Sequence, residues 1–273
     1  MVCGAAQALH HYYPQEDIQL YTNPDYSSII DRCPFVKMSH KLHNYSIDLS
    51  PAKFGLAPIH QIDAYLEDFG LYGVPDDLKS IVLNDDPEPG PRYKSDKTIV
   101  IHAPITDPNR TYPHWQAVVD TLVSKGYSIV QIGKTGYGKA NQLLLRTVDF
   151  SNRLSLEGTL GLIRDCALFI STDSGPIQLA GATDTPILGI YSVVDGLRRI
   201  PYRKNAKSRI IQASCSLESC YDYMKDQDIW TKNKLDTLGE TFSQWCPAKT
   251  DYSCLYDLEP EVICKAAQEL IEE

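Results

Sequence analysis

No apolar run in the 273-residue chain approaches the ~18 residues that a membrane-spanning helix requires. The N-terminus, MVCGAAQALHHYYP, has no basic segment leading into a long apolar core, so no secretory signal peptide is expected. Together these absences point to a cytoplasmic, reducing setting. Positive charge is also in deficit. A net charge of −9 argues against a nucleic-acid-binding surface, although it permits a local basic pocket. Tight CxxC pairs are missing as well. Of the eight cysteines, Cys3, Cys33, Cys166 and Cys264 are scattered and read as small buried side chains. Cys215 and Cys220, then Cys246 and Cys254, cluster with four and seven intervening residues. These are not the spacings of a zinc ribbon. Free thiols, disulfides in an oxidising compartment and a metal site all stay open.

What is present is the composition of a soluble globular protein, 43% apolar and 22% charged, long enough for one large domain or two ordinary ones. The chain is organised around Leu154 to Tyr191. Ser155 to Arg164 has helical spacing of Leu156, Leu160 and Ile163. Ala167 to Ile170 is an unbroken apolar run, as expected of a strand covered on both faces. Thr172-Asp173-Ser174-Gly175-Pro176 then turns the chain, with Gly175 permitting a sharp turn and Pro176 opening a helix. Pro186 to Tyr191 is the next strand. A turn of this kind aims backbone N–H groups at the strand's end, which suits a phosphate; an ordinary crossover without ligand is the alternative.

Upstream, Gly4 to Tyr13 reads as a helix, Asp17 to Tyr21 as a strand, Asp25 to Ile30 as a short helix, and Phe35 to Met38 and Tyr45 to Leu49 as strands. Ile59 to Phe69 is an amphipathic helix and Leu78 to Leu83 a last strand. This unit begins in a helix with no strand before it. Asp85 to Lys97 is rich in Pro, Gly and charge and reads as a linker. Beyond it, Thr98 to Ala103, Tyr127 to Ile132 and Arg209 to Gln212 read as strands. Pro113 to Lys125, Ala140 to Arg146 and Glu259 to Ile271 read as helices. That alternation calls for a parallel sheet with helices on both faces. The expected division is residues 1–90, 91–258 and a closing helix at 259–273, with a ligand cleft at the carboxyl ends of two sheets.

The ordered set Ser155, Leu156, Asp173, Ser174, Gly175, Leu179, Ala180, Thr185 and Pro186 resembles the hallmark segment of glycosyltransferase family 9, the heptosyltransferase-like proteins. Arg110, Tyr112, Pro113 and Trp115 are similar to its upstream basic-aromatic-Pro…Trp segment. AAQALHHYYPQEDIQLYTNPDYSSIIDRCPFV and YSCLYDLEPEVICKAAQELI are similar to its beginning and end. The resemblance covers most of the chain and is strongest from about 98 to 192.

The resemblance implies an α/β fold of GT-B type, two Rossmann-like domains with parallel sheets facing a cleft, the first incomplete at its N-terminus. It implies sugar transfer with inversion from a nucleotide-diphosphate sugar, often ADP-heptose, to a glycan or other hydroxyl acceptor, with no obligatory metal. Arg110 is then a phosphate clamp, Leu154 a nucleobase contact, and Ser174 and Gly175 part of an anion hole. Asp173 is read as positioning ligand and capping the helix. Thr106 and Lys134 are further phosphate or ribose candidates, whereas Gly133-Lys134-Thr135-Gly136 lacks the spacing of a P-loop. Trp115 reads as core.

Two departures stand out. Gln178 occupies a position where the family commonly has His, and nothing in the chain matches the family's early Gly-Asp loop, the source of its catalytic base. The base is therefore unassigned, with Asp31, Asp48, His10, His11, His40, His43 and His60 as candidates. The alternatives are a nucleotide-sugar-binding protein without turnover, and an accessory subunit whose sheet is completed by a partner chain.

Overall fold

The computed structural model describes residues 1–41, 59–84, 95–105, 108–134, 142–204, 206–215, 220, 246, 248 and 252–273. The expected strand Tyr45 to Leu49 and most of the expected linker lie outside them. The first unit contains helix α1 (Val2–Tyr12), strand β1 (Gln19–Tyr21), a 3-10 turn at Pro24–Tyr26 running into α2 (Ser27–Ile30), strand β2 (Lys37–Ser39) and helix α3 (Gln61–Asp68). β1 and β2 pair in parallel. Ala5, Ala8 and Leu9 of α1 pack against Ile62, Tyr65 and Leu66 of α3. The opposite side of α1, through Ala6, meets Ile30, Cys33 and Val36.

The second unit is a six-stranded parallel sheet. Its strands are β3 (Ser95–His102), β4 (Ser128–Ile132), β5 (Val148–Asp149), β6 (Cys166–Thr172), β7 (Ile187–Tyr191) and β8 (Ser208–Gln212), in the order β5-β4-β3-β6-β7-β8. Among the described residues its helices include α4 (Trp115–Ser124), α5 (Leu156–Arg164), α6 (Gly175–Ala180), α7 (Ser253–Tyr256) and α8 (Pro260–Glu272). The two-residue period of the strands divides their apolar side chains between two cores. Ile99, Ile101, Leu168 and Ile170 face Trp115, Val118, Val119 and Leu122 of α4 and Ile263, Ala267 and Leu270 of α8. Val100, Phe169 and Ile187 face Leu162 and Ile163 of α5 and Ile177 of α6. Trp115 is fully buried, the core role expected of it.

Two expected elements are absent. Leu78 to Leu83 is not a strand: Asp76–Leu78 is a 3-10 turn. Lys79 is buried there and pairs with Asp63 at 2.8 Å and Asp76 at 2.7 Å, while Ser80 Oγ donates to the Asp77 carbonyl. These local bonds compete with a ladder for the chain's polar groups. Gln142 to Arg146 is not helical. Buried Gln131 holds it in place, donating from Nε2 to the Gln142 carbonyl and accepting from the Leu144 N–H, and Leu145 N–H donates to Gln116 Oε1. The chain then forms the short edge strand β5, which hydropathy does not announce.

Among the described residues no helix is long and apolar enough to cross a membrane. All eight thiols are free. Burial and the charge of its neighbours push Cys220 up to about 12 and Cys254 up to about 11. Among the described residues no group of His, Cys, Asp or Glu is arranged to hold a metal ion.

Candidate functional site

The carboxyl ends of β1, β3, β4, β5 and β6 open into one cleft of about 690 Å³. This is where parallel α/β sheets take their ligands. From the second unit, Arg110, Lys134, Leu154, Asp173, Ser174, Gly175 and Gln178 all line it, seven of the eight expected contacts. The eighth, Thr106, lies outside the described residues. Leu20, Thr22, Asn23, Asp25, Tyr26 and Ile29 form the facing wall.

Local sequence explains the placement. Ser155 accepts from the Gly158 N–H at 3.0 Å and so fixes the start of α5, with Leu154 just ahead of it at the cleft. Gly133 has φ 150°, a backbone state that favours glycine, where β4 ends and Lys134 emerges. Asn23 accepts from the Asp25 N–H at 3.0 Å and Pro24 opens the 3-10 turn, which sets Asp25 at the rim.

The turn at Asp173 to Pro176 differs from expectation in three respects. Gly175 does not have a positive φ, and a Cβ placed there would meet nothing within 4 Å. What glycine leaves at this position is open space in the cleft. Asp173 does not cap α6; the cap residue is Ser174, whose side chain makes no capping bond. Finally, α6 is only six residues long, so its dipole is small and side-chain cations carry more of any attraction for an anion.

Ser174 is held instead by a buried network. Its Oγ lies 3.1 Å from His102 Nδ1 and 2.8 Å from Ser171 Oγ, and Ser171 donates to the Thr172 carbonyl at 2.8 Å. Since Ser171's only proton is used there, Ser174 can donate to Ser171 while accepting from an Nδ1–H of His102. Burial pushes His102 down to about 4, so the ring is neutral at pH 7. Burial raises the Asp173 carboxyl, with Arg199 and Arg110 pulling it back. Burial also drives the Tyr191 hydroxyl well above its ordinary value, and the nearby Asp173 charge adds to this. Gln178 Nε2 donates to the Arg199 carbonyl at 2.7 Å.

The candidate bases fare differently. His10, His11, Asp31, His40 and His60 are not among the residues lining the cleft; His43 and Asp48 lie outside the described residues. His10 stacks on Phe35. His60 caps α3, with Nδ1 accepting from the Ile62 N–H at 3.1 Å and Nε2 donating to the Ile200 carbonyl at 2.9 Å. Sequence reasoning passed over His102, Phe150 and Asp25, all of which line the cleft. His102 ends β3 and Asp25 lies on the turn that follows β1, positions that could have pointed to them, whereas Phe150 follows β5, a strand hydropathy does not announce. Asp25 and Asp173 are the only carboxylates among the described residues lining the cleft.

Two α/β units with parallel sheets and a cleft at their strand ends define a GT-B glycosyltransferase fold. The model of glycosyltransferase family 9 (heptosyltransferase) matches residues 66–226, and the chain belongs to that family. No curated protein matches it in sequence. Among solved structures it is similar to a glycosyl transferase family 9 protein from Veillonella parvula DSM 2008, with TM-score 0.67 and 14% identity over 99% of this chain and 92% of that one. It is similar to TibC, an iron-containing dodecameric glycosyltransferase from enterotoxigenic E. coli H10407, with TM-score 0.70 and 16% identity over 99% and 72%. A third is the E. coli ADP-heptose LPS heptosyltransferase II, with TM-score 0.57 and 13% identity over 85% and 94%.

Proposed function

We propose that the chain is an inverting glycosyltransferase that moves a sugar from a nucleotide-diphosphate sugar, of the ADP-heptose kind, to a hydroxyl of a glycan or similar acceptor. Residues 91–258 serve as the donor side, residues 1–90 as the acceptor side, and the helix at 259–273 braces the donor sheet. The observation carrying this reading is the convergence of Arg110, Lys134, Leu154, Asp173, Ser174, Gly175 and Gln178 on one cleft. A TibC structure with ADP-D-β-D-heptose supports the choice of donor class.

In this reading Arg110 and Lys134 face the diphosphate, with Ser174 and Gly175 beside it at the start of α6. Leu154, with Phe150 beside it in the same apolar core, packs on the nucleobase. Asp173 and Gln178 take sugar or ribose hydroxyls. The acceptor oxygen attacks the anomeric carbon from the first-unit side and forms the new C–O bond. The bond from that carbon to the phosphate oxygen breaks, and its electron pair leaves on the diphosphate. Fixed cations stabilise that growing charge. Asp25, the carboxylate on the facing wall, takes the acceptor's proton. General-base catalysis contributes roughly 10²–10⁴-fold, so Asp25→Asn is expected to lower kcat by about that factor and leave donor affinity unchanged. An unaltered kcat would remove Asp25 from the role.

No step is routed through a metal, so turnover is expected to survive a chelator; its loss would count against this mechanism. Binding without turnover is the second reading. It draws on Gln178 standing where the family commonly has His, since an amide cannot carry positive charge. Calorimetry with ADP, UDP, GDP and CMP, followed by transfer from a labelled donor, separates the two. Selective nucleotide binding with transfer supports the first, and binding alone the second. A folded chain that binds none of the four overturns the donor site.

A further inference from the structure

Arg199 is a buried charge, 8% exposed, at the junction of the two units. Its guanidinium donates from Nη1 to Gln61 Oε1 at the start of α3, and Gln61 Nε2 in turn donates to the Tyr65 hydroxyl. Its backbone carbonyl accepts from Gln178 Nε2 at 2.7 Å. Its charge also acts on Asp173. The next residues continue the junction: the Ile200 carbonyl accepts from His60 Nε2 at 2.9 Å, and the Tyr202 hydroxyl donates to Asp63 Oδ2 at 2.7 Å. One short segment therefore touches α3 of the first unit and Gln178 of the cleft, and its charge reaches Asp173.

Neither Arg199 nor Gln61 lines the cleft. From this geometry we infer that Arg199 is a positioning residue that couples the docking of α3 to the donor site. It holds the segment whose carbonyl aims the Gln178 amide, and it stabilises the charge of Asp173. Gln61 is one partner of this buried guanidinium, and its loss loosens the hold of α3 on the segment. The carbonyl that Gln178 uses then shifts with the segment. Gln61 thus acts on donor affinity from the other unit without touching the donor. The inference rests on the donor-site reading above.

The test is calorimetric affinity for ADP, UDP and GDP in folded variants, with Arg110→Ala as the control for the site itself. Gln61→Leu removes the acceptor and is expected to weaken binding roughly tenfold, within the range of ordinary site-to-site coupling. Gln61→Glu keeps an acceptor for Arg199 and accepts from the Tyr65 hydroxyl, so it should restore affinity. Arg199→Met should weaken binding at least as much. In that background Gln61→Leu should have no further effect, because both changes break one link. A merely structural role would instead give additive losses and no rescue by glutamate. If Arg110→Ala weakens binding while Gln61→Leu and Arg199→Met leave it unchanged, or if their losses add, the coupling is overturned and the donor site stands. If Arg110→Ala has no effect either, the donor-site reading falls, and the coupling with it.

Discussion

Asp173 and Ser174 stand at the end of a strand whose Leu168, Phe169 and Ile170 are fully buried, whereas Asn23 and Asp25, across the cleft, stand on an exposed 3-10 turn. The first wall is backed by two cores, one on each face of a six-stranded sheet. The second is backed by a two-stranded sheet among the described residues and by clusters around α1. The difference teaches where each half of a transfer reaction can be built. A diphosphate has fixed geometry and rewards a rigid, preorganised site. Acceptors differ in shape, and a wall of turns can vary without disturbing a core.

The largest expected effect breaks the rigid side. Trp115→Ala removes a fully buried indole that packs with Tyr112, and losses of this kind cost about 3–5 kcal/mol. Denaturant unfolding should show the second unit destabilised by that amount, with nucleotide binding lost in step. A loss below about 1 kcal/mol would mean the core relaxes around the gap.

Arg110→Ala comes next, with fold retained and nucleotide binding weaker by about 1.5–3 kcal/mol, the range for a hydrogen bond to a charged partner. Gly175→Val sharpens the same point. Because Gly175 has no positive φ and open space beside it, the variant should keep its melting temperature. Its new methyl groups should fill part of the cleft and weaken binding by roughly tenfold, about 1.4 kcal/mol. A lowered melting temperature with normal affinity would reverse that reading.

How much of this was legible in sequence follows the same division. Buried runs such as Ile99 to Ile101 and Leu168 to Ile170 announce central strands by continuity alone, and the second-unit wall of the cleft follows from their ends. Asp173, Ser174, Gly175 and Gln178 could be placed together because they lie on one turn and the helix after it. Polar side chains that replace backbone partners are not visible in a hydropathy pattern. Gln131 holds Gln142 to Leu144 out of a helix, and Lys79 with Ser80 holds the chain after Leu78 out of a strand. His102 looks like the end of a strand until its Nδ1 is seen against two serine hydroxyls. The link from Gln61 to Arg199 spans 138 positions, beyond the reach of any local pattern.

The smallest effect expected is in pH dependence, and it compares the two units through one histidine each. Burial lowers both His60 and His102 to about 4 from an ordinary 6.5. The unfolded chain therefore takes up protons near 6.5, and the folded chain resists until about 4. Stability from the neutral rings is fully present above the unfolded value and is lost as pH falls toward the folded one, at no more than about 1.4 kcal/mol per pH unit for each ring. Their partners differ. His60 Nδ1 accepts from the Ile62 N–H, so protonation there destroys a bond that no rotation can replace. His102 Nδ1 faces two hydroxyls and already donates to Ser174 in the neutral ring, so protonation falls on Nε2 and leaves that bond in place. Chemical unfolding between about pH 6.5 and 5, above the ordinary carboxylate range, should show the slope reduced alike by His60→Asn and by His102→Asn, because both folded rings stay neutral there. A smaller reduction for one variant would mean that its ring takes up a proton in the folded chain well above about 4, and an unchanged slope in the double variant would mean that neither ring is neutral for the reason given.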